Sequence, residues 1–145
     1  MSDADLVYQR TFRAPRELVW HCLTDPAEPA RFWGPHGMIT PPDGIVVELW
    51  PGGRFETLMI GAHGSHRMVA VFTEVVAPER LAWFEPASGM RTTSTLDDLG
   101  ADGTSVVIRQ QHVPEAMRTP ESRAGFLTSL DKLEKHLAHL VQGDR

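Results

Sequence analysis

One cysteine, Cys22, stands among 145 residues, so the chain cannot close a disulfide on itself. Basic residues are in deficit, 14 Lys and Arg against 19 Asp and Glu, for a net charge of -5. Nucleic-acid binders carry a basic patch, and this balance excludes nucleic acid as the expected partner. No apolar run approaches the roughly 20 residues that a membrane helix needs, so no membrane insertion is expected. The opening stretch MSDADLVYQR lacks the basic and apolar regions of a secretory signal. With a lone thiol, these absences point to the cytoplasm. Gly-x-Gly-x-x-Gly, a P-loop and Gly-x-Ser-x-Gly are all missing, which removes the common phosphate cradles and the nucleophile elbow. No cofactor is expected, and no catalytic residue is assigned.

What is present suits one domain spanning residues 1–145. LVYQRTFR alternates, with Leu6, Tyr8, Arg10 and Phe12 on one face, as a strand does. APRELVWHCLTD follows, with Pro15 at the first helical position and an apolar stripe of Leu18, Val19, Cys22 and Leu23. A second short helix is expected to begin with Asp25 as cap, Pro26 at the first position and Glu28 as capping-box partner. It runs into Arg31, Phe32 and Trp33, and Gly34–Pro35 ends it. Short Val-, Thr- and aromatic-rich segments then predict strands over 44–50, 53–60, 66–76, 80–85, 90–98 and 104–112. The breaks between them are too short for a helical crossover, so neighbouring strands pair antiparallel. At the end, Thr119 caps a long helix opened by Pro120. Its stripe is Phe126, Leu130, Leu133, Leu137 and Leu140, with Lys132, Glu134, Lys135 and His136 flanking the wet face.

This order predicts an α+β protein, a curved antiparallel sheet of about seven strands wrapped around the final helix. A helix is about 10 Å across and cannot fill a broad concave sheet. An internal cavity is the expected result.

The segments APRELVWHCLTDPAEPARFWGP, VELWPGGRF, VVAPERLAW, GTSVVIRQQH and GFLTSLDKLEKHLA occur in this order. Together they resemble the bacterial branch of the SRPBCC superfamily that is similar to activators of Hsp-ninety ATPase, related to START-type and birch-pollen-allergen-like carriers. The resemblance covers essentially the whole chain. It implies a helix-grip fold and a pocket for a small hydrophobic molecule, lipid-like or aromatic. It also implies two alternatives: a chaperone-associated interaction module, and a polyketide cyclase-like enzyme. One departure is Phe126, where many relatives carry Trp.

Strand alternation assigns the candidate pocket. Phe55, Thr57 and Met59 share a face, as do His66, Met68, Ala70 and Phe72; Met90, Thr92, Ser94 and Leu96; and Val106, Ile108, Gln110 and His112. From these, Phe55, Met59, His66, Met68, Phe72, Met90, Ser94, Gln110 and His112 are expected ligand contacts, with Phe126 and Leu130 from the final helix. Trp33 and His36 are expected at the entrance, where Trp33 also serves as a core plug. In the cyclase reading, His66, Gln110, His112 and Arg91 would move protons; Arg54 and Arg91 read equally well as surface residues.

The histidine pairs His63/His66 and His136/His139 have no third ligand nearby in the sequence, whereas zinc needs three or four. No metal site is assigned, and His136 and His139 are expected to face solvent. Asp97 and Asp98 read as turn residues. An uncovered edge strand leaves a homodimer open.

Overall fold

The computed structural model describes residues 5–143. Seven strands form one antiparallel sheet: β1 (Leu6–Phe12), β2 (Val46–Val47), β3 (Arg54–Gly61), β4 (Gly64–Val76), β5 (Arg80–Glu85), β6 (Met90–Asp98) and β7 (Thr104–Gln111). Their spatial order is β1-β7-β6-β5-β4-β3-β2, a meander from β2 to β7 that closes by pairing β7 with the first strand. The helices are α1 (Arg16–Thr24), α2 (Pro29–Phe32) and α3 (Pro120–Gly143). The expected α+β helix-grip architecture is what the chain adopts. At 24 residues, α3 runs about 36 Å along the concave face.

Alternation puts one set of side chains inward on every strand. The cross-strand partners Phe72, Trp83, Thr92 and Gln110 make one inward row, and Leu81, Ser94, Ile108 and Tyr8 make the next. A register shift between Phe72 and Glu74 inserts one residue into β4. Such a bulge bends the strand and raises its twist, which helps the sheet curl. It also resets the parity, so that Val75 lies opposite the buried Leu81.

Helix α3 is held on this face by its apolar stripe and by polar ties at its flanks. Leu130, Leu133 and Leu137 are buried, and Phe126 lies 4.3 Å from the Tyr8 ring, centroid to centroid. Arg10, inward on β1, reaches Asp131 at 2.7 Å and Glu134 at 3.3 Å. Thr119 caps the helix as expected, its hydroxyl accepting from the Ser122 amide.

Four expectations about local structure need correction. The strand expected over 44–50 shrinks to Val46–Val47, because Pro42–Gly44 form a 3-10 turn and residues 48–50 leave the ladder. Pro15 is the residue before α1, its carbonyl accepting from the Leu18 and Val19 amides. Helix α2 starts at Pro29, because the Asp25 carboxylate accepts from the Ala27 amide and makes a turn first. Glu28 is therefore free of any capping box and points elsewhere. Lys132 is not on a wet face: its ammonium donates to the Gly34 carbonyl at 2.9 Å, and burial pulls its pKa below the usual lysine range.

Candidate functional site

The inner face divides into an aromatic end and a polar middle. At the aromatic end Phe55 is the centre. Its ring lies 5.1 Å from Phe72, 4.9 Å from Trp83 and 5.5 Å from Trp33, with the Trp rings edge-on. Trp33 caps the C-terminus of α2 and also leans on Phe32 at 6.3 Å. The plug role of Trp33 is thus visible, and the space beneath it is filled with rings.

The polar middle follows from the register. Trp83, Thr92 and Gln110 are neighbours across β5, β6 and β7, and Thr57 on β3 lies opposite Met68 on β4. All are buried. Trp83 Nε1, Thr92 Oγ1 and Thr57 Oγ1 make no hydrogen bond among the described residues. A buried polar group without a partner costs about 1–3 kcal/mol. Each such atom calls for a partner beyond the side chains around it.

Glu85 extends the same inward series as Leu81 and Trp83, and lies opposite Met90. Burial pushes its carboxyl from 4.5 up to about 7. The native chain therefore holds this proton more tightly than the unfolded chain does. Its stabilising contribution is complete below the unfolded value and is lost as pH rises through 7. Stability to urea is expected to fall between pH ~5 and ~8 in the wild type and to stay flatter in Glu85→Gln. Parallel slopes for the two proteins would place the carboxylate in water.

Of the expected contacts, Phe55, Met68, Phe72, Met90, Ser94, Gln110 and Leu130 are buried inward; Met59 and Phe126 are half-buried. Met59 reaches across to Gly34, beside Trp33. Three histidines do not join them. His66 sits near the tip of the β3–β4 hairpin, where residues 62–67 are all exposed. His112 follows the last residue of β7 with φ at 57°, which ends the alternation and leaves it exposed. His36 is also exposed; only its backbone amide is engaged, donating to Thr128 Oγ1. With His63 and His66 it lines an open surface groove of about 480 Å³. A second open groove, about 700 Å³, runs past Ala30, Ile39 and Pro41.

Arg91 lies on the outer face, its guanidinium 4.9 Å above the Phe84 ring, and Arg54 is exposed and paired with Glu48. Of the four groups suggested for proton transfer, Gln110 alone faces inward. Asp97 and Asp98 are not turn residues but the last two of β6, opposite Ser105 and Thr104; the Asp98 carboxylate accepts from the Gly100 amide of the turn that follows. The expectation for His136 is overturned: its side chain is only 12% exposed and its Nε2 lies 2.6 Å from Glu28 Oε1. His139 is exposed.

Trp83 and Glu85 were missed by reading the sequence, although the alternation of RLAWFE carries the signal that assigned their neighbours. No helix among the described residues is long and apolar enough to cross a membrane.

Residues 13–138 match the family profile described as activator of Hsp90 ATPase homolog 1-like protein. No curated protein matches the chain. Among solved structures, a protein from Nitrosomonas europaea is 24% identical, with 98% of this chain and 99% of that one covered at a TM-score of 0.83. A protein from Chromobacterium violaceum is 25% identical over 92% and 96%, also at 0.83. An AHSA1-like protein from Aeromonas hydrophila is 25% identical over 94% and 93%, at 0.79.

Proposed function

The chain belongs to the activator of Hsp90 ATPase homolog 1-like family, within the SRPBCC helix-grip superfamily, and on that premise we propose that it binds a small, mostly apolar molecule between the sheet and α3. The observation that carries this reading is the set of partnerless polar atoms on the inner face: Trp83 Nε1, Thr92 Oγ1 and Thr57 Oγ1. Ligand sites are mostly apolar with a few polar groups that set orientation. The Thr92 hydroxyl and the Trp83 indole N–H, with Gln110 beside them, suit a guest carrying one or two hydrogen-bond acceptors; Thr57, two strands from Trp83 and opposite Met68, stands apart from that row. A Glu85 carboxyl that holds its proton near neutrality adds a donor of the same kind.

Met68 and Met90 occupy the space at the border of the polar middle. Their unbranched side chains repack around a guest more easily than rings do. Burial of the guest's apolar surface drives binding, at about 25 cal/mol per Å². This is sequestration, with no reaction step. The single buried thiol and the acidic balance fit a cytoplasmic setting.

Native mass spectrometry of freshly purified protein, with titration of the fluorescent probe anilinonaphthalene sulfonate, tests the reading. Wild type is expected to bind the probe and retain small molecules. Met68→Trp fills the same space and is expected to weaken probe binding about tenfold, while costing about 1–3 kcal/mol in stability. Unchanged binding in a folded Met68→Trp protein overturns the inner-face assignment.

The family description favours a second reading, an interaction module for an Hsp90-type chaperone. Outward apolar residues such as Val7 (64% exposed) and Val69 (45% exposed) are the surface it would use. A chaperone that copurifies, with no retained small molecule, decides for this reading. The edge of β1, which among the described residues pairs with β7 alone, is where a second copy would add its strand.

A further inference from the structure

Helices α1 and α3 and the turn before α2 meet at a cluster that the pocket does not use. Cys22 on α1 is fully buried. Its sulfur lies 4.0 Å from Glu28 Oε1, and the same oxygen lies 2.6 Å from His136 Nε2 on α3. The three donor atoms all fall within 4.8 Å of one another, the one such group of three among the described residues. At the rim, His21 Nε2 is 3.7 Å from Glu28 Oε2, and its Nδ1 is 3.8 Å from Asp25 Oδ2. Phe32 stacks on the His136 imidazole at 6.2 Å and 24°, which fixes the ring plane.

We propose that Cys22, Glu28 and His136 form a binding site for a divalent transition ion of the zinc class, with His21 or a water as fourth ligand. The donor set selects the metal. A thiolate and an imidazole disfavour Mg²⁺ and Ca²⁺, which take oxygen, and suit Zn²⁺ or Co²⁺. Zinc bonds of about 2.3 Å to sulfur and 2.0–2.2 Å to nitrogen and oxygen place tetrahedral donors roughly 3.3–3.7 Å apart. The observed separations of 4.0 and 2.6 Å lie on either side of that range, and all three donors fall within 4.8 Å of one another. Binding would draw the sulfur in and move the carboxylate oxygen off the imidazole.

Burial, then Glu28, then Asp25 push the Cys22 thiol up to about 12, so without a cation it keeps its proton, and an incoming ion has to displace it. On loading, two protons leave their places: the S–H proton passes to bulk water as the metal–sulfur bond forms, and the proton shared between His136 Nε2 and Glu28 Oε1 is displaced, so that His136 binds through Nε2 with a proton on Nδ1 and any excess proton goes to bulk water. No electron is transferred. The thiol's hydrogen bond to Glu28 and the Glu28–His136 pair hold the three groups in the metal-free protein; the convergence of all three donor atoms is what carries the proposal.

The metal-free protein, prepared by dialysis against a chelator, is titrated with Co²⁺ and then with Zn²⁺. One equivalent of Co²⁺ is expected to bind with a near-ultraviolet thiolate-to-cobalt band and intense visible bands of tetrahedral cobalt, both lost on adding Zn²⁺. Cys22 is the chain's one cysteine, so the wild-type spectrum alone identifies the sulfur ligand. Cys22→Ser is expected to abolish that band, and the isosteric Glu28→Gln and His136→Gln to weaken Zn²⁺ binding at least about tenfold. His139→Gln and His63→Gln are expected to change neither. The absence of a stoichiometric thiolate band in wild type overturns the proposal. So does Zn²⁺ affinity that survives in folded Glu28→Gln and His136→Gln, which would place the ion on surface histidines.

Discussion

Phe55→Ala is expected to lower the free energy of unfolding by about 3–5 kcal/mol, near the top of the range for truncating a core aromatic. Phe55 is 1% exposed and touches the rings of Trp33, Phe72 and Trp83. Two effects add. The lost apolar contact is that of a whole ring, and each aromatic pair contributes about 0.5–1.5 kcal/mol beyond its area. The remaining rings are pinned by β4, β5 and the end of α2, so the hole closes only partly. At this chain length the loss corresponds to a midpoint roughly 10–15 °C lower in a thermal scan. The measurement also bears on the pocket. A loss under about 1.5 kcal/mol would mean that Phe55 already borders empty space, and the guest would then sit beneath Trp33 rather than beside Thr92.

Gly103→Ala is expected to be comparably damaging, for a different reason. Gly103 ends the β6–β7 turn at φ 99° and ψ -138°, a conformation that side chains rarely adopt. A Cβ there would lie 2.1 Å from the Phe12 carbonyl oxygen. The obstacle is backbone of the neighbouring β1, held by its ladder with β7, and it has no rotamer to change. Backbone strain of about 1–3 kcal/mol and overpacking of about 1–3 kcal/mol give a total of roughly 2–6 kcal/mol. That is a large share of the 5–15 kcal/mol typical of a domain. Gly89→Ala is the control, since Gly89 has φ 80° but nothing within 4 Å of the point where a Cβ would sit. Urea midpoints for the two variants separate strain from collision. Equal losses would show that β1 yields, and that the collision is relieved by moving the strand.

Both variants act on the joint between local chemistry and long-range packing, which is also where reading the sequence began to fail. Strand alternation placed Phe55, Met68, Phe72, Met90, Ser94 and Gln110 on a common face, and the register brings them together. That inference is sound in mid-strand because a period of two is a property of the backbone itself. It broke at the strand ends. His112 lies one residue past β7 with a positive φ, and His66 lies near a hairpin tip with nothing packed over it. Burial there depends on how far the covering helix reaches.

The seven strands, the long amphipathic helix and the inward series of residues were set by patterns a few residues long, which the sequence carries by itself. What fills the concavity, and which polar groups meet, was decided by tertiary structure. Glu28 and His136 are 108 positions apart and 2.6 Å from one another. Asp25 and Pro26 offered a complete local explanation for Glu28, a capping box, and the fold used it instead to join α3 to the turn before α2. Local signals report the period of burial; contacts between distant segments depend on how curved sheet and helix pack, and no window of sequence contains that geometry.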